Sequence, residues 1–148
     1  MKAINYLKRI GCMDAKINTN IEELAHLEAL ATKTTSVMGG ERVQASSSQQ
    51  KMADCVVKIV ELKNIITKEI DEYIELKNEA RHLLGECDSE CMTLLYKRYF
   101  QHEDWEQIAV EMKFSYKWVS GGLHQRALAQ MQKALDGKEK QDGKFDYI

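Results

Sequence analysis

Two cysteines in the second half of the chain are the residues best spaced to bind a metal. Cys87 and Cys91 frame the segment CDSEC, and two histidines lie nearby in the sequence, at His82 and His102. Thiolate and imidazole are ligands that zinc prefers, but structural zinc sites usually combine a CxxC pair with a second, regularly spaced pair. The spacing here is CxxxC and the other ligands are scattered. The pattern therefore favours buried or half-buried free thiols, without a metal.

One acidic cluster could be considered for acid–base catalysis. Glu103, Asp104 and Glu106 lie close together, but a solvated turn that caps a helix accounts for the same residues. The chain has neither a glycine-rich phosphate loop nor a Ser/His/Asp or Cys/His set with local support. The sequence therefore predicts a protein that is not an enzyme and needs no cofactor.

Composition indicates a helical protein with one or two small domains. The 148 residues are 44% hydrophobic and 30% charged and include no proline, the residue that most often breaks helices. The net charge is −2, so any nucleic-acid surface must be local. No apolar run approaches the ~20 residues of a membrane span, and the opening MKAINYLKRIGCMDAK lacks the apolar core of a secretory signal. We expect an all-α, cytoplasmic protein that does not bind membranes.

Apolar residues recur near the coiled-coil period along the first half of the chain. Alternate steps of three and four residues meet mostly apolar positions over 3–38 and again over 51–84, where only Glu69 interrupts the stripe. Between them, GGERVQASSSQQ is typical of a flexible connection. The pattern predicts a long antiparallel helical hairpin over residues 1–86, with a joint at about 39–50.

A two-helix hairpin buries only part of so wide an apolar stripe. On the second helix, Val56, Ile70 and Leu84 broaden the stripe on one side. The remainder must pack on the C-terminal part of the chain or on a second copy. We therefore expect a homo-oligomer, with a dimer favoured, in which the hairpin is the oligomerisation or interaction arm.

Residues 87–136 contain three short segments with helical periodicity. Each is preceded by a side chain of the type that caps helix N-termini. The caps are Asp88 or Ser89 for the first helix, Asp104 for the second and Ser115 for the third. We expect the third helix to end near Leu135 and the charged tail, residues 137–148, to be frayed.

The last two of these helices have the pattern of a helix-turn-helix. The turn between them is very short, and Ala109, a small residue, lies on the inner face where the two helices cross closely. No acidic residue occurs in the 24 positions between Glu111 and Asp136, which hold Lys113, Lys117, Arg126 and Lys133. A basic, acid-free segment is typical of a surface that contacts phosphates, so double-stranded DNA is the predicted partner.

The start of the last helix is expected to meet base edges in the major groove. Val119, Leu123, Ala127 and Met131 form its inner stripe. Trp118, one position away, is interpreted as a core or interface residue, with stacking on bases as the alternative. Residues at the start of the preceding helix are candidates for phosphate contacts. The predicted DNA-binding residues are Trp105, Gln107, Lys113, Ser115, Tyr116, Lys117, Ser120, His124, Gln125 and Arg126.

The segment from Leu94 to Leu128, LLYKRYFQHEDWEQIAVEMKFSYKWV and then LHQRAL, resembles region 4 of the sigma-70 family, which forms a helix-turn-helix. The chain over about 4–135 is also similar to a family of phage and prophage proteins in which a helical hairpin precedes a sigma-like helix-turn-helix, and to the RinA and ArpU late transcription regulators. The resemblance implies a sequence-specific DNA-binding transcription regulator without catalysis. Its hairpin would dimerise or contact RNA polymerase.

Two other functions fit the same pattern. A small-terminase-like DNA-packaging subunit also joins a helix-turn-helix to a helical hairpin, although its DNA-binding part commonly comes first. A polymerase- or sigma-binding adaptor would keep the fold without reading DNA, and would bind no DNA even at low salt.

Two adjacent glycines lie at the centre of the predicted reading helix. Gly121 and Gly122 each cost a helix interior roughly 1 kcal/mol relative to alanine, and members of the similar family carry bulky polar or basic residues in this gap. The pair could allow close approach, loosen the helix until DNA orders it, or mark a kink. The sequence predicts that replacing both by alanine raises thermal stability, and that base contacts lie on the flanks of the pair.

Overall fold

The computed structural model describes residues 1–38 and 45–145, and within them the side chains of residues 1–33 and 49–143. Helices account for nearly all of these residues, and no strand occurs among them, so the all-α prediction is confirmed. The helices are α1 (Ala3–Met38), α2 (Ala45–Leu84), α3 (Ser89–Leu95), α4 (Trp105–Met112) and α5 (His124–Phe145). A π-helical turn, Tyr96–Phe100, follows α3, and a second, Trp118–Leu123, leads into α5.

Two of the predicted boundaries are wrong. Residues 39–44 of the expected joint lie outside the described residues, but 45–50 are helical and belong to α2. That segment has no glycine or proline to stop a helix. At the other end, α5 continues through most of the tail that was expected to fray and reaches Phe145; residues 146–148 lie outside the described part.

Every helix in the described part of the chain is too short or too polar to cross a membrane.

The chain divides into two compact units. The two-helix unit comprises Met13–Tyr73, and the terminal unit comprises Met1–Cys12 together with the chain from Ile74 onward. The first turns of α1 and the last turns of α2 therefore belong with α3, α4 and α5. The predicted division had placed all of residues 1–86 in the hairpin.

In the two-helix unit, the one polar interruption of the α2 stripe has its own partners. Glu69 accepts hydrogen bonds of 3.0 Å at both carboxylate oxygens from the amide of Asn20, and Lys16 lies 3.9 Å away. Further along α1, Glu28 lies 3.7 Å from Lys63, which precedes Glu69 in α2. These polar pairs fix the register between α1 and α2. If one helix shifted along the other, the side chains of Asn20 and Glu69 would lose the hydrogen bonds that they share.

The terminal unit is held together by an apolar core and by polar contacts from both long helices. The Ala3 N–H donates to Gln132 of α5 at 2.7 Å, and the Tyr6 hydroxyl donates to Glu79 of α2 at 2.8 Å. Lys138 forms an ion pair of 2.7 Å with Glu79, which helps to account for the continuation of α5. The most deeply buried apolar side chains of the terminal unit are Leu7, Ile10, Leu84, Leu94, Leu95, Ile108, Val119, Leu123 and Met131.

Candidate nucleic-acid interface

Helix α4 and the helix that follows it are joined by a turn of three residues. Asp104 caps α4 by accepting a hydrogen bond of 2.8 Å from the Gln107 N–H. The helix ends at Lys113, whose backbone is left-handed (φ 59°, ψ 40°), an uncommon conformation for a residue other than glycine. Ser115 then caps the next helix, because its Oγ accepts from the Trp118 N–H at 3.2 Å. The caps predicted at Asp104 and Ser115 are confirmed.

Residues 116–145 form one continuous helix, which includes the second π-helical turn and α5 and is called the last helix below. Its inner face matches the predicted stripe. Val119, Leu123, Ala127 and Met131 have no exposed surface. They fix the rotation of the helix about its axis, and this rotation decides which of the predicted contact residues on this helix face outward.

Five of the predicted contact residues form one exposed surface. Lys113, Ser115, Tyr116, Lys117 and Gln125 are all exposed, and Tyr116 keeps 53% of its surface open. Among the described residues, neither lysine has an ion-pair partner. We call these five residues the outer surface; it is basic and carries hydrogen-bonding groups.

Two further predicted residues lie near this surface but already have hydrogen-bond partners. The Ser120 hydroxyl donates to the Tyr116 carbonyl at 2.8 Å, and Ser120 is half-buried. The Gln107 side chain is exposed and donates to Glu111 at 3.2 Å. Ser120 could donate to a phosphate only by giving up that bond, because its hydroxyl has one hydrogen, whereas the Gln107 amide has a second N–H.

The prediction that His124 faces outward is wrong. Only 9% of the residue is exposed, and its Nε2 shares a hydrogen bond of 2.8 Å with the Tyr99 hydroxyl. Burial, with the positive charges of Arg98 and Lys8, lowers the pKa of His124. The physical reason for the error is a pair of contacts from earlier in the chain, since the Tyr99 hydroxyl bonds to the His124 ring and Trp105 packs against it.

Trp105 packs against the same buried pair. The Arg98 guanidinium lies 4.4 Å from the centroid of the indole, and the His124 ring lies edge-on at 4.7 Å. The sequence pattern did not identify Arg98 and Tyr99 as neighbours of Trp105 and His124. Arg98 stacks on Trp105, and Tyr99 bonds to His124, only in the folded protein. Trp105 is half-buried and supports the last helix from within.

Arg126 forms an ion pair with Asp88, the residue that caps α3, and is not one of the five residues of the outer surface. Its guanidinium lies 2.7 Å from Asp88 Oδ2, which also accepts a hydrogen bond of 2.8 Å from Gln130. The other oxygen of Asp88 caps α3 by accepting from the Cys91 N–H at 2.9 Å. The Cys91 and Gln130 bonds, more than the charge of Arg126, lower the pKa of Asp88 to about 2. Arg126 therefore forms an ion pair between α5 and the cap of α3, although its side chain remains 53% exposed.

The two cysteines considered for zinc are free thiols. Cys91 is buried, and burial together with Asp88 raises its pKa to about 12. Cys87 is half-buried, and its pKa is raised chiefly by burial. Among the described residues, no three His, Cys, Asp or Glu side chains converge in a way that could hold a metal ion.

The acidic cluster is divided between separate structural roles. Asp104 caps α4, whereas Glu103 lies 4.0 Å from Lys97, whose ammonium is closer to Glu111 at 2.6 Å. Burial and the neighbouring Glu111 carboxylate raise the pKa of Glu103, and Lys97 lowers that of Glu111. Lys97 therefore links Glu103, just before α4, and Glu111, near the end of α4, in an ion-pair network.

No family model, curated protein or solved structure matches the chain. The functional interpretation of the outer surface therefore depends on its own geometry and charge.

Proposed function

We propose that the protein is a sequence-specific, double-stranded-DNA-binding transcription regulator of phage or prophage type, acting in the cytoplasm without catalysis. In this proposal α1 and α2 form the hairpin arm, and α3, α4 and α5 form a sigma-70 region 4-like helix-turn-helix. The start of the last helix enters the major groove, and α4 lies across it.

One observation carries the proposal. The turn after α4 and the first turn of the next helix present Lys113 and Lys117, both exposed and without ion-pair partners among the described residues, with Ser115 and Tyr116 between them. The same 24-position stretch has no acidic residue, although the chain has a net charge of −2. Phosphates are therefore attracted to this surface and repelled by much of the rest of the protein.

The proposed division of labour among the contact residues follows from their positions. Lys113, at the turn, and Ser115, at the start of the helix, suit phosphate contacts that set the orientation of the protein. Tyr116, Lys117 and Gln125 have side chains long enough to reach base edges. Trp105, His124 and Arg126 support the helix from behind and are not assigned contacts.

The exposed apolar residues of the two-helix unit support a second copy as a partner. Val56, Val57, Val60 and Ile65 of α2 are exposed, and Val56 and Val60 are one helical turn apart and so share a face. Burying such residues favours association. We propose a dimer formed through this arm, with RNA polymerase as the further partner on which a regulator of this type would act.

The test is a DNA-binding titration over a range of salt concentrations, following a map of the genomic fragments that the full chain retains. The expected result is tight binding at low salt that weakens steeply as salt rises, with bound fragments clustered upstream of genes. Fragments clustered at a packaging start would instead support the terminase-like function.

If no fragment binds even at low salt, the regulator proposal is overturned in favour of the adaptor. Replacing Lys113 and Lys117 together by glutamine should weaken binding to all fragments. The same measurement on Lys113→Gln alone has a matched control in Arg126→Gln, since each variant removes one positive charge from the acid-free stretch but Arg126 is paired with Asp88. Light scattering measures the oligomeric state of the same samples.

A further inference from the structure

The two glycines of the reading helix have different surroundings. A Cβ atom built on Gly121 meets nothing within 4 Å. A Cβ atom built on Gly122 would lie 2.7 Å from Cε3 of the Trp118 indole and closer still to its Cζ3. The indole therefore occupies the space that any side chain at position 122 would need, and only Gly122 is required for this arrangement.

The indole rests on bare helix backbone and is open to solvent on its other side. Trp118 is 41% exposed, and it directly follows Lys117 and Tyr116 in the outer surface. Tryptophan and glycine stand four residues apart, a spacing that places them on the same side of a helix. The centre of the reading helix thus presents a flat apolar ring that lies over Gly122 and is partly exposed.

An exposed apolar ring beside basic and hydroxyl groups has a specific complement in the major groove. The thymine C5-methyl is the apolar feature of that groove, and apolar side chains distinguish thymine from cytosine by contacting it. Phosphates attract the lysines and can accept a hydrogen bond from the indole N–H, but they have no group that matches the apolar face of the ring, so an interaction limited to phosphates would leave that face of Trp118 unused.

We infer that Trp118 is a specificity-determining residue that contacts thymine methyl groups, and that Gly122 is a positioning residue that seats the indole. This inference rests on the proposed DNA-binding function. It changes the interpretation of the glycine pair: base contact occurs at the centre of the helix, through the side chain that Gly122 accommodates.

The first experiment compares Gly122→Ala with Gly121→Ala, which serves as its matched control. Affinity is measured by fluorescence anisotropy on a duplex from a fragment that the wild-type protein retains. We expect Gly122→Ala to weaken binding about tenfold, the scale of one base-specific contact, with an unchanged dependence on salt because no phosphate contact is lost. Gly121→Ala should bind as the wild type does.

A double-variant cycle tests whether Gly122 acts through the indole. Trp118→Ala alone should weaken binding about as much as Gly122→Ala, and adding Gly122→Ala to Trp118→Ala should weaken it no further. Additive losses would overturn the positioning role of Gly122. Trp118→Ala requires no space at position 122, so it also tests the contact if Gly122→Ala proves unstable.

A duplex with deoxyuridine in place of thymidine tests the chemistry of the contact, since uracil lacks the methyl group. The wild-type protein should bind this duplex about as weakly as Trp118→Ala does, and Trp118→Ala should not distinguish the two duplexes. Equal wild-type affinity for both duplexes would overturn the methyl contact.

A fluorine label gives a structural readout that does not depend on affinity. The chain has two tryptophans, so 5-fluorotryptophan labelling yields two ¹⁹F resonances, assigned with Trp118→Phe. The Trp118 resonance should move on DNA binding and in Gly122→Ala, but not in Gly121→Ala.

If the wild-type protein binds DNA while Trp118→Ala binds equally well, this inference fails alone. If the wild-type protein binds no DNA, the proposed function fails with it.

Discussion

Removing one hydroxyl group should show whether the buried pair of Tyr99 and His124 stabilises the last helix. The Tyr99 hydroxyl and Nε2 of His124 share a hydrogen bond of 2.8 Å, and each residue is only 9% exposed. Tyr99→Phe deletes this hydroxyl without changing the packing of the ring. Water has little access to the site, so the imidazole nitrogen is left buried without its partner.

The expected cost follows from that loss. Leaving a buried polar group unsatisfied costs about 1–3 kcal/mol. In a chain of 148 residues, each kcal/mol lowers the melting temperature by about 2–4 °C. A loss of about 2 kcal/mol therefore corresponds to about 4–8 °C.

Thermal and urea unfolding followed by circular dichroism at pH 7.5 measure this cost. The matched control is Tyr116→Phe, which removes the same group from a side chain that is 53% exposed and should change the free energy of unfolding by less than about 0.5 kcal/mol. Adding His124→Leu to Tyr99→Phe should recover part of the loss, because both polar partners are then absent. The reasoning is refuted if Tyr99→Phe is as stable as Tyr116→Phe while His124→Leu weakens DNA binding without lowering stability.

Three further predictions concern the same region. The pKa of His124 is lowered in the folded protein, so the unfolded chain binds a proton at higher pH than the folded chain does. The free energy of unfolding should therefore decrease as pH falls through about 6.5. Urea titrations at several pH values measure this decrease, which should be absent in His124→Leu. Lys113→Gln should reduce the slope of log affinity against log salt by about 0.9, because it removes a phosphate contact, whereas Arg126→Gln should leave the slope unchanged. Equal slopes for the two variants would contradict the assignment of the phosphate contact to Lys113. Gly121→Ala should raise the free energy of unfolding by roughly 0.5–1 kcal/mol. Adding Gly122→Ala should lose part of this gain because the indole is displaced, and a double variant more stable than Gly121→Ala would contradict this prediction.

The features that sequence identified correctly depend on contacts close in the chain. Asp104 and Ser115 cap the helices that begin just after them, and the four-residue steps from Val119 to Met131 placed the inner face of the last helix. A cap reaches two or three residues along the chain, and a helical stripe repeats every three or four. Both can therefore be found in a single sequence. The basic stretch around Lys117 is local in the same sense.

The features that sequence missed depend on residues far apart in the chain. Arg126 looked available for DNA because nothing near it in the sequence is acidic, yet Asp88, 38 positions earlier, forms an ion pair with it. His124 looked exposed because its hydrogen-bond partner, Tyr99, lies 25 positions earlier.

By itself, the sequence determined the helices, their caps and a local basic segment that favours nucleic acid. Only the tertiary structure decided which side chains of that segment remain open, because burial of His124 and pairing of Arg126 require partners that folding brings from 25 and 38 positions away. The different surroundings of Gly121 and Gly122 were decided there too. They depend on the position of one indole, and composition gives two adjacent glycines the same properties.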